Sequence, residues 1–95
     1  MTNLEALQSM TEYSNDNLLE KALTDQGLTT GGTYSDEEAI DLAAAAIYFV
    51  LAAHPEMKEG SSLTKYNSAQ LRTMRKEILH KYGLGGGGAD GTAIW

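Results

Sequence analysis

Hydrophobic positions along this chain form three amphipathic stretches and one stretch that is apolar on every side. Leu42 to Ala53 reads LAAAAIYFVLAA, without a charged residue. A surface helix carries an apolar stripe, whereas a helix apolar all round has to be covered on several faces. The run would rise ~18 Å as a helix, short of the roughly 20 residues that cross a bilayer. It is therefore predicted to be the central helix of a core, or the heart of a subunit contact. Ser35-Asp-Glu-Glu38 sets a capping box with three acids in the first turn, and Pro55 disfavours helical geometry at His54. Together these place the long helix over about Asp36–Ala53.

Three further helices are predicted. The first runs about Asn3–Met10, with Thr2 and Glu5 at capping-box spacing and an apolar edge of Leu4, Leu7 and Met10. The second runs about Asn15–Gln26, capped by Ser14 or Asn15, with Leu18, Leu19, Ala22 and Leu23 as its stripe. Gly27-Leu28 then gives a Schellman stop. The last helix runs about Ser68–Tyr82 behind Asn67 and Gln70, again at capping-box spacing. It buries Leu71, Met74, Ile78 and Tyr82, carries Arg72, Lys76 and His80 outside, and ends at a second stop, Gly83-Leu84.

Between these lie a loop, Thr29 to Tyr34, and a connector, Glu56 to Tyr66, whose residues 61–66 have a weak extended pattern. The connector is long for a compact helical domain, and such loops are often functional. The expected fold is all-α: a small bundle of about four helices over residues 1–84, then a tail, Gly85 to Trp95 (GGGGADGTAIW). Four consecutive glycines carry a large entropic cost of ordering. Yet Ile94 and Trp95, the only tryptophan, close the tail, and tryptophan is enriched among residues that carry interface energy. The tail reads either as a floppy terminus or as a tethered anchor for another subunit.

Composition narrows the chemistry. The 95 residues make one domain. The absence of cysteine excludes disulfides, thiolate catalysis and cysteine–zinc sites. His54 and His80 do not make a metal site by themselves, and the N-terminus lacks the basic and apolar regions of a signal peptide. Glu37, Glu38 and Asp41 share one helical turn, but capping and a solvated face account for them more simply than acid–base catalysis. Gly85–Gly88 follows a helix and lacks the Lys-Ser/Thr of a phosphate loop. No cofactor, metal or catalytic group is expected.

Charge is more telling. Residues 1–41 hold nine acids and one base (−8) and residues 42–95 four acids and six bases (+2), which make the net −6. Two solvated faces of unlike sign would explain this; so would head-to-tail association, in which complementarity sets orientation and on-rate. Net repulsion disfavours strong sequence-general DNA binding. Arg75 lies near the apolar edge of the last helix and is expected to find a carboxylate of the N-terminal half, in the same chain or a neighbour. Candidate interface residues are Ile47, Phe49, Leu63, Tyr66, Arg72, Arg75, Lys76, Ile94 and Trp95.

The order of elements resembles the small helical head–tail connector (head-completion, or adaptor) proteins of tailed bacteriophages. The resemblance covers residues 3–84. It is carried by Ser14-Asn-Asp-Asn-Leu-Leu-Glu-Lys-Ala-Leu23, the acid-capped, alanine-rich Asp36–Ala53 helix, Glu59-Gly-Ser-Ser-Leu63, and a basic helix ending Lys81-Tyr-Gly-Leu84. The tail with its tryptophan is outside the pattern. The resemblance implies a structural virion protein without enzyme activity. It would form a homo-oligomeric ring, commonly of twelve copies, between portal and tail proteins, lining or sealing the DNA channel. Contact with phage DNA would be nonspecific at most, and no membrane is involved. Its place would be the head–tail interface of the virion, and the host cytoplasm during assembly. The alternatives are a small acidic phage-encoded protein that inhibits or regulates a host protein through its acidic half, and a DNA-binding regulator using the last helix.

Overall fold

Local signals fix most helix ends. The structure, a computed structural model, describes residues 1–13, 15–58 and 62–84. It contains α1 (Asn3–Thr11), α2 (Asp16–Asp25), α3 (Glu37–Ala53) and α4 (Ser68–Lys81), with 3-10 turns at Pro55–Lys58 and Ser62–Lys65. The fold is all-α, and among the described residues the only β-pairing is an isolated bridge between Thr2 and Thr33. The expected tail, with Ile94 and Trp95, lies outside the described residues, as do Ser14 and Glu59–Ser61.

Both outer capping boxes form: Thr2 with Glu5 before α1, and Asn67 with Gln70 before α4. Asn15 caps α2, its side chain accepting from the Asn17 and Leu18 N–H groups. The start of α3 differs from expectation by one residue. Asp36, not Ser35, is the cap, its carboxylate accepting from the Ala39 N–H at 3.0 Å. A carboxylate there also meets the positive end of the helix dipole. Both Schellman stops are present: Gly27 and Gly83 take φ of 77° and 72°. The Leu28 and Leu84 N–H groups reach back to the Leu23 and Leu79 carbonyls at 2.9 and 2.8 Å.

The long helix α3 is the hub, packing against α1, α2 and, most extensively, α4. Its inward side, Ile40, Ala43, Ala44, Ile47 and Leu51, meets Leu7 of α1, Leu19 and Leu23 of α2, and Leu71 of α4 in one core. The protomer thus buries most of the apolar run by itself, as a central core helix does, and leaves Phe49 and Ala53 exposed. The helix α4 runs antiparallel to α3. Ser68 Oγ donates to the Ala52 carbonyl at 2.8 Å at one end, and Lys81 reaches Asp41 at the other.

The two irregular segments are pinned. In the Thr29–Tyr34 loop the Asn3 N–H donates to the Gly32 carbonyl at 2.8 Å and the Tyr34 N–H to the Met1 carbonyl at 2.9 Å. The connector holds 3-10 turns where residues 61–66 were expected to be extended. Leu63 is buried in the core, Tyr13 donates its hydroxyl to the Met57 carbonyl at 3.0 Å, and the buried Lys58 donates to the Tyr66 carbonyl.

Candidate interaction surface

Chemistry-bearing side chains gather in two places, both on the α3–α4 pair. The first is the open side of α3. At 100° per residue Leu42, Ala46, Phe49 and Ala53 (i, i+4, i+7, i+11) share one face. Leu42, Ala46 and the adjacent Val50 are half-buried, and Phe49 and Ala53 are exposed. Phe49 is 54% exposed, high for a large aromatic inside a regular helix. The Arg75 guanidinium of α4 lies over its ring, 4.9 Å from the centroid. Such a cation–π contact at an exposed site is worth about 0.5–1 kcal/mol. Within the protomer Arg75 therefore takes the face of Phe49, where a carboxylate of the same chain was one of the two partners expected for it.

The interface candidates fall into three groups. Phe49, Arg72, Arg75 and Lys76 lie together along the outer side of the α3–α4 pair, with Arg72 and Lys76 exposed and Arg75 half-buried. Tyr66 is half-buried beneath Lys65, whose Nζ is 5.3 Å from its ring centroid. Ile47 and Leu63 are corrections: at 0% and 2% exposure they are core residues of the protomer and present no face to a neighbour. Ile94 and Trp95 lie outside the described residues.

The second place is a buried carboxylate. The sequence pattern puts Asp41 on a solvated face, yet it is 3% exposed. Tyr82 donates its hydroxyl to Asp41 Oδ2, and Lys81 Nζ donates to the same oxygen at 3.2 Å. Lys81 also lies 3.9 Å from Glu37. Hydrogen bonds to Tyr82 and Asp41 hold the Lys81 ammonium above its ordinary pKa. The bond to Asp41 likewise raises the Tyr82 phenol. This cluster ties the end of α4 to the start of α3. One signal could have exposed it: Asp41 is in register with Ala45, Tyr48 and Ala52, the α3 side that faces inward.

Beside the cluster, Met10, Tyr48, Met74 and Ile78 line a shallow groove of about 340 Å³ with Asp41, Glu77 and Lys81 at its rim. Burial raises the Tyr48 phenol, and the nearby Tyr66, Glu12 and Asp41 add to the effect. A second open hollow, of about 290 Å³, lies where α2 meets α3, lined by Gln26, Asp36, Glu38, Ala39 and Leu42. His54 sits at the end of α3 with Nδ1 3.6 Å from Glu56, and His80 is solvated. Among the described residues no group of three or more His, Cys, Asp or Glu is placed to hold a metal ion. No helix among them is long and apolar enough to cross a membrane. The arrangement offers surfaces for contact: an apolar stripe with a cationic rim, and an acidic region over α2 and the first turn of α3.

Residues 1–91 match the model of a family of unknown function, DUF6706, and the chain belongs to that family. No curated protein and no solved structure matches the chain.

Proposed function

We propose that this member of DUF6706 is a structural protein of a phage virion, a head–tail connector that works by contact with copies of itself and with portal and tail proteins. The observation that carries it is the separation of charge over one small protomer. Asp16, Glu20, Asp25, Asp36, Glu37 and Glu38 are exposed on α2 and the start of α3, with Lys21 the one base among them, whereas Arg72, Lys76 and Lys81 are exposed on α4 beside a single acid, Glu77. Complementary faces of this kind orient subunits and speed their encounter. When one patch meets a different patch on the next copy, the contacts close into a ring if the rotation per subunit closes. The resemblance of residues 3–84 to phage connectors supports the same reading. The Glu56–Tyr66 connector would face the adjoining subunit, and the 85–95 segment with Ile94 and Trp95 would anchor across it.

Such a protein needs no catalytic group. Its place would be the head–tail interface of the virion after assembly in the host cytoplasm. The test is mass photometry of the full chain, alone and with the portal ring of its own virion. Concentration-dependent higher oligomers, or binding to the portal, are expected. A chain that stays monomeric at high concentration and ignores the portal rejects the reading. Removal of residues 85–95 should weaken assembly if they are the anchor, and unchanged assembly would reject that role. The exposed acids of α2 and α3 favour one second reading, a binding protein for a basic surface of a host protein. It requires that host protein to co-purify in stoichiometric amount.

A further inference from the structure

The open side of α3 has an acidic end and a basic end. At its N-terminal end, Leu42 shares a hollow with Asp36 and Glu38. About two turns on, Phe49 lies under Arg75. Because α4 runs antiparallel to α3, Arg72 sits one turn further toward the Ala53 end. Between the two ends Ala46 leaves room for another backbone. Phe49 and Ala53 are exposed, so the central helix reaches the surface on this side.

We infer that this face pairs with the same face of a second copy, the two α3 helices packed antiparallel about a two-fold axis near Ala46. Reversing one stripe against the other brings Phe49 of each copy beside Leu42 of its partner copy. It also brings Glu38 of each to the Arg72–Arg75 rim of the other. Every contact is then made twice, as a two-fold interface requires. Small residues at the crossing let helix axes approach to the 8–10 Å of packed helices. The polarity selects the occupant. A parallel copy would set acid on acid and base on base, and a neutral apolar helix would leave both charged rims unmatched. The pairing buries the aromatic at the centre and keeps the charges at the rim, as specific interfaces do. It does not need the connector reading, but it draws on Glu38 and Arg72, two of the charged groups that reading places between ring subunits.

Sedimentation equilibrium of the full chain tests this, with circular dichroism to check folding. The chain is expected to form a dimer that weakens as salt rises. Phe49→Asp should weaken association by at least about thirtyfold, the loss of one central hot spot, with helicity unchanged. Arg75→Glu and Glu38→Lys should each weaken the homodimer, and an equimolar mixture of the two should restore pairing. A monomer at all concentrations overturns the inference. So does a dimer that Phe49→Asp leaves intact, or a mixture that fails to pair. A larger ring indifferent to Phe49→Asp also overturns it while leaving the connector reading standing.

Discussion

Two sides of one helix make the most instructive contrast in this molecule. The inward side of α3 carries Ile40, Ala43, Ala44, Ile47 and Leu51; the outward side carries Leu42, Ala46, Phe49 and Ala53. The chemistry is nearly the same, yet the first side is sealed by three helices, whereas the second is half-covered at Leu42 and Ala46 and open at Phe49 and Ala53, with Arg75 over the Phe49 ring. Apolar character therefore does not decide which side of such a helix is core. The partners do: the buried leucines of α1, α2 and α4 gather on the first side. What remains is a helix whose hydrophobic content exceeds its own fold's use for it, on one stripe.

The contrast is tested most strongly on the sealed side. Ile47→Ala removes a fully buried side chain among Leu7, Leu23 and Leu51 and should cost about 2–5 kcal/mol. In a domain of this size that lowers the thermal midpoint by roughly 10 °C or more. Calorimetry or thermal circular dichroism reads it directly. A shift no larger than that of an exposed-side substitution would break the distinction between the two sides.

The next effect belongs to the latch at the edge between them. Asp41→Asn keeps the shape but removes the charge that Lys81 and Tyr82 bond to, and should cost about 1.5–3 kcal/mol, the range for hydrogen bonds to charged groups. The pH dependence has a definite sign. Both the Lys81 and the Tyr82 groups have pKa values raised in the folded state. Their contribution is complete below the unfolded values, near 10, and is lost as pH rises through the folded values. Stability should therefore fall on the alkaline side above about pH 10, and Asp41→Asn should flatten that fall. Chemical denaturation at pH 8 and pH 10.5 compares the two chains.

Much of this was legible beforehand because it is local chemistry. The caps at Thr2, Asn15 and Asn67 and the glycine stops at Gly27 and Gly83 each need only four to six neighbouring residues. Three features were not legible, and all depend on what packs from afar. Asp41 looks like a solvated acid until Tyr82 and Lys81 arrive from 40 residues away. Arg75 needed a partner, and within the protomer that partner is the ring of Phe49. Which side of the Leu42–Ala53 run would stay open could not be read from residues that are apolar on every side. Helix α1 also stops without a glycine, at Glu12 with φ 55°, for which the sequence carries no marker.

A smaller effect is expected in the loop that ties the chain start to α3. A methyl group at Gly32 would come 2.8 Å from Thr29 Oγ1 and 3.1 Å from Asn3 Nδ2. That amide donates to the Thr29 carbonyl at 2.9 Å, so it has little freedom to move aside. Gly32→Ala should cost about 1–2 kcal/mol by overpacking, whereas Gly31→Ala, with open space around it, should be near neutral. Equal urea midpoints for the two variants would remove the close approach as their explanation.

The smallest folding effect should come from the most conspicuous residue. Phe49→Ser removes an aromatic that is 54% exposed and contacts Arg75. The protomer loses the cation–π contact, about 0.5–1 kcal/mol, and sheds an exposed apolar surface. Serine and phenylalanine have similar helix propensities, so the backbone adds little. These terms leave a net change within about 1 kcal/mol, measured at a concentration where the chain is monomeric. If Phe49 belonged to the core, its replacement would cost as much as Ile47→Ala. Measured at high concentration instead, the same substitution should cost more, because any partner that covers Phe49 adds its binding free energy to the folded state. A stability loss that is small in dilute solution and grows with concentration would place the residue in an interface; one that is the same at both would place it within the protomer's own fold.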